Sequence, residues 1–278
     1  MSKVWFVTGA NSGIGAGIVT AALQAGERVV ATGRSLEKLR AAFPHGESDA
    51  LALIEFDVTD EAKAAAAVAT AVERFGRIDV VVNNAGYCVL GNFEDLSTGD
   101  IQAQLATNFF GVVHVLHAAL PFLRQQRSGH VINISSVAGA IGMNHCSAYS
   151  ASKFAVEGLS QAVGAEVERF GIKLTVVEPG FFRTSFLNQQ NAAVVETTIE
   201  DYVAQGSARD AYAAYDGTQL GDPLKLGEAL LAIVAMESPP KLFAAGSDAV
   251  EMLRPVAEAR SKAIDASIAL SRSTDGVR

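Results

Sequence analysis

Short apolar runs rich in β-branched residues alternate with longer amphipathic stretches along almost the entire chain. The runs with the length of strands span residues 4–8, 28–32, 51–56, 79–83, 130–135, 173–178 and 241–244. Most of them are continuously apolar, which is typical of strands that are covered on both faces. Because each helix between two strands must return the chain by a right-handed crossover, the alternation predicts an α/β fold. We expect a doubly wound, Rossmann-type parallel sheet with helices on both faces.

Helix patterns occupy the stretches between the strands. They span residues 14–26, 35–43, 60–75, 99–126, 149–170 and 223–236. Gly26, Gly76 and Gly171 each follow or end one of these patterns, where a left-handed stop residue is expected.

The end of the chain predicts one more helix and no second domain. This helix is expected at about 247–270, with Ser247 or Asp248 as its cap. No linker composition interrupts the alternation before the polar tail at 271–278, so residues 1–278 are predicted to form a single domain.

The composition is that of a globular protein with a large apolar core and an acidic balance. Of the 278 residues 49% are hydrophobic and 19% are charged, and the formal net charge is −8. An acidic chain without blocks of lysine or arginine is a poor partner for nucleic acid or for an anionic membrane. No apolar stretch approaches the ~18 residues of a membrane span, and the first apolar run is too short for a signal peptide. We therefore expect a cytoplasmic protein without nucleic-acid or membrane partners.

Residue types that bind metals are scattered along the chain. Cys88 and Cys146 lack the spacing of a metal site and are expected to be reduced thiols. His114 and His117 lie one helical turn apart, but no acidic residue or cysteine stands at ligand spacing from them. We expect this pair to be exposed or to face a second subunit, and we expect no metal site. The motifs of common serine hydrolases, metalloproteases and P-loop enzymes do not occur.

Glycines cluster at the first junction between a strand and a helix. The junction reads Thr8-Gly9-Ala10-Asn11-Ser12-Gly13-Ile14-Gly15. Open α/β sheets bind ligands outside the carboxyl ends of their strands, where a helix N-terminus offers free N–H groups to a diphosphate. The alternative is an ordinary glycine-rich turn. Three glycines at this junction favour dinucleotide binding, although their spacing, Gly-x-x-x-Gly-x-Gly, differs from the common Gly-x-Gly-x-x-Gly fingerprint.

Four further motifs follow the glycine loop at later junctions. They are Asn83-Asn84-Ala85-Gly86 after the fourth strand, Ser136 after the fifth, Tyr149-x-x-x-Lys153 in the next helix, and Pro179-Gly180 after the sixth strand. With the glycine loop, they make the chain resemble the short-chain dehydrogenase/reductase family over roughly residues 3–185. The resemblance implies an oxidoreductase that binds a nicotinamide cofactor. The cofactor contacts that it implies are Gly9, Asn11, Ser12, Gly13, Ile14, Gly15, Asp57, Val58, Asn84, Ala85, Gly86, Tyr149, Lys153, Pro179, Gly180 and Thr184.

The end of the second strand indicates which nicotinamide cofactor is bound. NAD-binding folds place an acidic residue there, about 20 residues after the glycines, to hold the ribose hydroxyls. Here the residues are Thr32-Gly33-Arg34-Ser35, without an acid. A carboxylate would repel a 2′-phosphate, whereas Arg34 can bind it with two charge-assisted hydrogen bonds. We expect NADP(H) to be preferred over NAD(H); the alternative is that Arg34 is only a solvated residue of the first helical turn.

The third strand end carries the residues that contact the adenine by resemblance, Asp57 and Val58. An alternative for Asp57 is that it caps the helix that begins near Asp60.

Tyr149 and Lys153 are four residues apart and so share one face of a helix. A free tyrosine has a pKa of ~10 and is a slow acid–base catalyst at neutral pH. At an effective dielectric of ~20, two unit charges ~5 Å apart interact by roughly 3 kcal/mol, or about two pKa units. Burial raises the pKa of a phenol, so the sequence predicts that the ammonium of Lys153 outweighs burial. Taken singly, Tyr149 could be a core tyrosine and Lys153 a surface lysine.

Two more polar residues complete the expected catalytic group. Ser136 lies thirteen residues before the tyrosine, the interval of the resembled family, and its hydroxyl would stabilise the charge that develops on the substrate oxygen. Ser135 is the competing assignment. Asn108 matches the family's fourth catalytic residue, which helps to hold a water chain to the lysine; on local grounds it could be a solvated or kinked helix residue. By resemblance, Lys153 also binds the nicotinamide ribose and Thr184 the carboxamide.

The strand–helix rhythm stops between residues 181 and 221. The apolar and aromatic residues of this segment are Phe181, Phe182, Phe186, Leu187, Val194, Val195, Ile199, Tyr202, Tyr212 and Tyr215. A segment of this length is expected to be a lid over the cofactor. The apolar residues on its inner side are expected to determine which substrate binds. Val89, Leu90 and Met143 are expected to complete the pocket wall, and neither Arg183 nor Arg209 is placed to hold a substrate carboxylate. The alternative is that these apolar side chains form a subunit contact.

Together the motifs predict an enzyme that moves a hydride between NADP(H) and a mainly apolar ketone or aldehyde, or the matching secondary alcohol. Tyr149 would be the proton donor or acceptor. One alternative is a catalytically silent dinucleotide-binding regulator, although such relatives typically lose the tyrosine or the lysine. Another is epimerisation or dehydration on the same scaffold, which usually needs a larger substrate domain. By analogy with the family, a homodimer or homotetramer is expected.

Overall fold

The apolar runs form strands in the computed structural model of the protein, which describes residues 2–187, 193–204, 206–213, 215 and 217–276. In chain order the strands are β1 (Val4–Val7), β2 (Arg28–Gly33), β3 (Leu51–Glu55), β4 (Val80–Asn83), β5 (Val89–Leu90), β6 (Gly129–Ile134), β7 (Ile172–Pro179), β8 (Ala193–Val194) and β9 (Leu242–Ala245). Seven of them form one parallel sheet in the order β3-β2-β1-β4-β6-β7-β9, and β5 pairs separately with β8. The predicted doubly wound parallel sheet is confirmed.

Helices cover both faces of this sheet. They are α1 (Gly13–Gln24), α2 (Leu36–Ala42), α3 (Glu61–Phe75), α4 (Thr98–Leu105), α5 (Gly111–Gln126), α6 (Ser147–Val167), α7 (Glu200–Val203), α8 (Ala208–Ala213), α9 (Pro223–Ala235) and α10 (Ser247–Arg272). A π-helical turn, Ala106–Phe110, joins α4 and α5. The short helices α7 and α8 lie in the segment predicted to be a lid, of which residues 188–192, 205, 214 and 216 are outside the described part.

Alternate side chains of each central strand pack on opposite faces of the sheet. In β1, Val4 and Phe6 join a core with α3, α5 and α6, whereas Trp5 and Val7 join a core with α1, α2 and α9. All four side chains are fully buried, which explains why the strand sequences are continuously apolar. Burying a large apolar side chain contributes roughly 1.5–3 kcal/mol, so the two layers hold the strand ends in fixed positions.

The predicted helix stops are confirmed, but the predicted cap of the last helix is wrong. Gly26, Gly76 and Gly171 have φ values of 78°, 78° and 74°. The helix α10 has Gly246 at its N-cap, without a side-chain cap. Instead of capping, Asp248 accepts a hydrogen bond of 2.7 Å from the backbone N–H of Phe181. The carboxylate therefore connects the start of α10 to the loop that follows β7.

The continuous helix Thr98–Gln126 is long and apolar enough to cross a membrane by length and composition, with a mean hydropathy of 1.4 in its most apolar window. The prediction that no stretch approaches this length was therefore wrong, because scattered polar residues do not lower the average enough. Val115, Leu116 and Leu123 on this helix belong to the core beside the sheet. The apolar side chains of this helix thus pack against the sheet.

The strand order reverses between β1 and β4, and the ends of these two strands are tied together. The hydroxyl of Thr8, just after β1, accepts hydrogen bonds from the backbone N–H groups of Asn84 (2.9 Å) and Ala85 (3.0 Å). The side chain of Asn84 returns bonds of 2.9 and 3.1 Å to the carbonyls of Thr8 and Gly9. This is the crevice in which doubly wound sheets bind their ligands.

Candidate active site

A cavity of about 360 Å³ opens at the carboxyl edge of the sheet, along this crevice. Of the residues predicted for the site, those in its wall are Gly9, Asn11, Ser12, Gly13, Ile14, Arg34, Val58, Asn84, Ala85, Gly86, Ser136, Tyr149, Lys153, Pro179, Gly180 and Thr184. Gly15, Asp57 and Asn108 are not in the wall. The topology therefore brings together predicted residues that are up to 175 positions apart in sequence, Gly9 and Thr184 being the extremes.

The glycine loop forms a cradle that fits a diphosphate. Gly9 and Gly13 have φ values of 62° and 54°, which favour glycine. A Cβ on Gly9 would lie 2.8 Å from the Cα of Ala85, so the two loops approach too closely for a side chain. Ser12 is the N-cap of α1, but its side chain makes no capping bond. The first N–H groups of α1 thus remain for an anion in the cavity.

Gly15 has a packing role behind this cradle. A Cβ at this position would lie 2.3 Å from the carbonyl oxygen of Gly9 and 2.5 Å from the amide nitrogen of Asn84. The glycine therefore allows α1 to approach the end of β1, which places Gly13 and Ile14 in the wall.

Two basic side chains lie where the second strand ends. Arg34 is exposed, lines the cavity, and forms no hydrogen bond or ion pair with any residue that the structure describes. Lys38, four residues later on α2, lines the same end of the cavity. The sequence analysis missed Lys38, although its helical spacing from Arg34 was a signal that could have revealed it.

The side chain of Asp57 belongs to a local turn and is not in the cavity wall. Its Oδ1 accepts bonds of 2.9 and 2.8 Å from the backbone N–H and the hydroxyl of Thr59. The helix α3 is capped by Asp60, not by Asp57. The alternative that Asp57 caps α3 is therefore wrong. Its contact with the adenine stays a prediction; Asp57 is not in the cavity wall, whereas the neighbouring Val58 is.

Tyr149, Lys153 and Ser136 meet at the centre of the cavity. Tyr149 is in the first turn of α6, and the Nζ of Lys153 lies 5.7 Å from its ring centroid. This ammonium donates a 2.8 Å bond to the carbonyl of Ile134, at the end of β6. The hydroxyl of Ser136 is hydrogen-bonded to that of Tyr149. The hydroxyl of Ser135 instead donates to Glu157 at 2.8 Å, so Ser136 is the serine beside the tyrosine.

Burial dominates the electrostatics of this group. Desolvation raises the pKa of Tyr149 well above its usual value, against a lowering by the hydrogen bond to Ser136. Desolvation also lowers the pKa of Lys153 to about 8. The prediction that the ammonium outweighs burial is therefore wrong for the protein by itself, because the same low-dielectric surroundings that disfavour a phenolate also disfavour the ammonium.

Asn108 lies directly behind the catalytic group, in the π-helical turn. Its Oδ1 accepts from the backbone N–H of Tyr87 at 3.1 Å, and its Nδ2 donates to the carbonyl of Tyr87 and to Ser152 at 3.0 Å. The side chain is fully buried, so the reading as a solvated helix residue is wrong. Asn108 holds the chain that follows Gly86, close to the ammonium of Lys153.

The far side of the cavity is mainly apolar. Met143, Phe186 and Tyr212, which were predicted for the pocket wall or its lid, line it. Tyr87, Cys88, Cys146 and Gln219 also line it and were not predicted from the sequence. The ring of Phe186 lies 5.8 Å from that of Tyr149. Val89 and Leu90, predicted for this wall, form β5 and are buried behind it. Their position was not predictable, because a strand of only two residues is too short to show an alternating pattern in the sequence.

The lid helix α8 is fastened to the loop in front of α6. The hydroxyl of Tyr212 donates a 2.9 Å bond to the carbonyl of Asn144 and accepts one of 3.0 Å from the thiol of Cys146. The two arginines of the lid segment are paired elsewhere, Arg183 with Asp222 and Arg209 with Glu196. The cavity wall therefore offers a substrate mostly apolar surface.

His114 and His117 have local partners. His114 is bonded to the carbonyl of Val58 at 2.9 Å, and His117 to Glu61 at 3.3 Å. Within the described part of the chain, no three histidine, cysteine or acidic side chains converge as a metal site would require. His145, the remaining histidine near the catalytic helix, is not in the cavity wall.

Comparison with known proteins agrees with this geometry. The family model described as short chain dehydrogenase matches residues 3–194. The chain is 40% identical over 262 residues to oxidoreductase BOA17 of Botryotinia fuckeliana, covering 94% of this chain and 95% of that protein. A short-chain dehydrogenase from Streptomyces avermitilis has a similar structure, with a TM-score of 0.88, 36% identity and 99% coverage of both chains. The structure of ElxO with NADP bound is similar at a TM-score of 0.71 and 25% identity, covering 87% of this chain and 96% of that chain. The chain belongs to the short-chain dehydrogenase family of oxidoreductases.

Proposed function

We propose that this protein is an NADP(H)-dependent reductase or dehydrogenase, with Tyr149 as the general acid or base and a mainly apolar ketone, aldehyde or secondary alcohol as substrate. The observation that carries the proposal is the meeting of Tyr149, Ser136 and Lys153 in the same cavity as the glycine cradle. These groups come from separate elements. If each had only a structural role, there would be no reason for all of them to line the same cavity.

The residues of the cavity fit a dinucleotide with a 2′-phosphate. The loop from Gly9 to Ile14 and the uncapped start of α1 would hold the diphosphate, and Val58 would contact the adenine. Arg34 and Lys38 would bind the 2′-phosphate, since phosphate is recognised best by cations without a competing carboxylate. NADP is also the cofactor in the similar ElxO structure. When bound, the nicotinamide supplies or accepts the hydride.

At the nicotinamide end, the candidate residues are Asn84, Ala85, Gly86, Pro179, Gly180 and Thr184, which line the cavity between the cradle and Tyr149. Thr184 lies beside Gly13, since a Cβ on that glycine would be 3.1 Å from its methyl group. We assign Thr184 to the carboxamide and Lys153 to the ribose hydroxyls.

In the direction of reduction, the protonated hydroxyl of Tyr149 donates its proton to the carbonyl oxygen of the substrate. Its raised pKa keeps the proton available at neutral pH. The hydroxyl of Ser136 stabilises the negative charge that develops on the same oxygen. Below pH ~8 the ammonium of Lys153 stabilises the phenolate that remains, and reprotonation completes the cycle.

The substrate would lie against the apolar wall that includes Met143, Phe186 and Tyr212. Among the residues that the structure describes, this part of the wall contains no lysine or arginine, and Arg183 and Arg209 of the same segment are in ion pairs. We therefore expect hydrophobic ketones to be reduced with higher kcat/KM than keto acids of the same size.

A spectrophotometric panel tests this proposal. NADPH and NADH oxidation is followed with hydrophobic ketones, aldehydes and matched keto acids, and NADPH binding is measured separately by its fluorescence. The proposal predicts turnover of at least one hydrophobic carbonyl with NADPH. Tight NADPH binding without turnover of any substrate in either direction would contradict it and favour a silent regulator.

A further inference from the structure

The cavity wall contains the only two cysteines of the chain, Cys88 and Cys146. Cys88 stands just before β5, whereas Cys146 is the N-cap of α6. Both side chains are nearly buried, with 2% and 3% of their surface exposed, and they pack in one cluster with Tyr149 and Tyr212. Neither thiol has a part in the proposed hydride transfer. Their position in the catalytic cavity therefore asks for a separate explanation.

The two thiols belong to one buried cluster, and each interacts with the other electrostatically. The thiol of Cys88 also donates a 3.7 Å hydrogen bond to the carbonyl of Val89. The backbone holds their segments together, since Gly91 donates a 2.9 Å bond to the carbonyl of His145. A third group, the hydroxyl of Tyr212, lies 3.0 Å from the sulfur of Cys146.

These contacts make the two sulfurs chemically unequal. The side-chain interaction with Cys88 lowers the pKa of the Cys146 thiol, against burial. The same interaction, with burial, raises the pKa of Cys88 well above its usual range. The N-terminus of α6, where Cys146 lies, also favours a thiolate. Cys146 is thus the nucleophile and Cys88 the resolving thiol.

We propose that Cys88 and Cys146 form a reversible oxidation site, which a small peroxide entering the cavity converts to an intramolecular disulfide. The Cys146 thiolate attacks one oxygen of hydrogen peroxide, breaks the O–O bond, and forms a sulfenic acid with release of hydroxide. The sulfur of Cys88 then attacks the sulfenic sulfur, and its proton leaves with the hydroxyl group as water. Overall, two thiols and one hydrogen peroxide give one disulfide and two waters.

The disulfide would inactivate the catalytic site. Tyr149 lies three residues after Cys146, in the first turn of the same helix, so drawing the two sulfurs together displaces the phenol. It also removes the thiol that donates to Tyr212, one of the two bonds that fasten α8 over the cavity. This consequence for activity rests on the proposed function, whereas the oxidation itself does not.

Oxidation is tested by counting thiols and weighing the intact protein. The reduced protein is treated with hydrogen peroxide with and without saturating NADP, then denatured and titrated. We expect loss of both thiols, a mass decrease of two hydrogens, and slower reaction when NADP occupies the cavity. Cys88→Ala and Cys146→Ala are the matched variants, since each keeps one thiol and cannot form the internal bond.

Activity is then followed relative to each variant's own untreated rate. We expect the oxidised wild type to lose at least about tenfold in kcat/KM and to recover with dithiothreitol, whereas Cys88→Ala keeps its own rate or loses it without recovery. The control is the denatured chain, treated with the same peroxide. If its thiols are oxidised while folded wild type keeps two free thiols, the proposal is overturned. A disulfide formed without change in activity would overturn the regulatory part. Formation of the disulfide in a protein that turns over no substrate would sink the proposed function and leave the oxidation site standing.

Discussion

At the scale of single residues, Arg34 and Lys38 connect the sequence to the choice of cofactor. The sequence predicted Arg34 from the loss of an acid at the end of the second strand. It did not predict Lys38, for which the helical spacing from Arg34 was the available signal. In the structure both side chains line the cavity. Our proposal that both cations bind the 2′-phosphate makes the preference for NADP(H) a quantitative expectation.

Arg34→Ala should weaken the use of NADPH and leave the use of NADH nearly unchanged. Loss of a charge-assisted interaction costs about 1.5–3 kcal/mol, so the KM for NADPH should rise roughly 10- to 100-fold. Steady-state kinetics with both cofactors check this. Arg40→Ala is the matched control, because Arg40 is exposed on α2 but is not in the cavity wall. Equal losses with NADH and NADPH would refute the assignment of Arg34.

Glu178 gives a residue-scale prediction for the pH dependence of stability. Its side chain shares a hydrogen bond with Glu157, and burial together with the charge of Glu157 raises its pKa from 4.5 to about 7. The folded protein thus binds more protons than the unfolded chain between these values, so this carboxyl costs stability as the pH rises from 4.5 to 7.

The neutral variant Glu178→Gln should therefore gain in melting temperature over wild type as the pH rises through this window, with a plateau above it. Thermal melts of both proteins between about pH 5 and 8.5 measure the difference. This range contains most of the window and the expected plateau above it. Glu258→Gln, on the exposed side of α10, is the control. A difference in melting temperature that does not depend on pH would contradict the raised pKa.

At the scale of elements, the least predictable parts are those that complete the cavity. The long helix was predicted from its periodicity, but its π-helical turn was not, and that turn directs Asn108 to the backbone of Tyr87. The short helix α8 was not predicted, because it lies in a segment without a regular hydrophobic pattern, although its Tyr212 was named as an apolar residue of that segment. Tertiary contacts fix these pieces, as when Tyr212 bonds to Asn144.

Tyr212→Phe should loosen α8 without touching the reacting groups. Each hydrogen bond of the hydroxyl contributes about 1 kcal/mol, so the KM for a hydrophobic carbonyl should rise roughly fivefold, with kcat changed less. Initial rates over a range of substrate concentrations check this. The matched control is Tyr202→Phe, whose hydroxyl donates to Glu94 on the exposed side of the lid segment. A fall in kcat alone, with KM constant, would contradict the role of Tyr212 as a fastening.

At the scale of the whole molecule, the sheet and the convergence of the motifs followed from the sequence. Continuous apolar strands required helices on both faces, and parallel strands required that the ends carrying Gly9, Asn84, Ser136 and Gly180 meet at one edge. The local partners of side chains did not follow. Asp57, for example, accepts hydrogen bonds from Thr59 in a turn that no sequence pattern predicted. Burial of Tyr149 and Lys153 likewise emerged only from packing.

Replacement of the Tyr149 hydroxyl tests the central claim most directly. NADPH-dependent reduction of the best carbonyl substrate is compared for wild type and Tyr149→Phe, with NADPH affinity measured on the same samples. Loss of the proton donor predicts a kcat lower by about 10²- to 10⁴-fold, while the affinity for NADPH stays within about threefold. A Tyr149→Phe variant that keeps more than about a tenth of the wild-type rate, with its cofactor bound, would contradict the account, because general acid catalysis would then not come from this phenol.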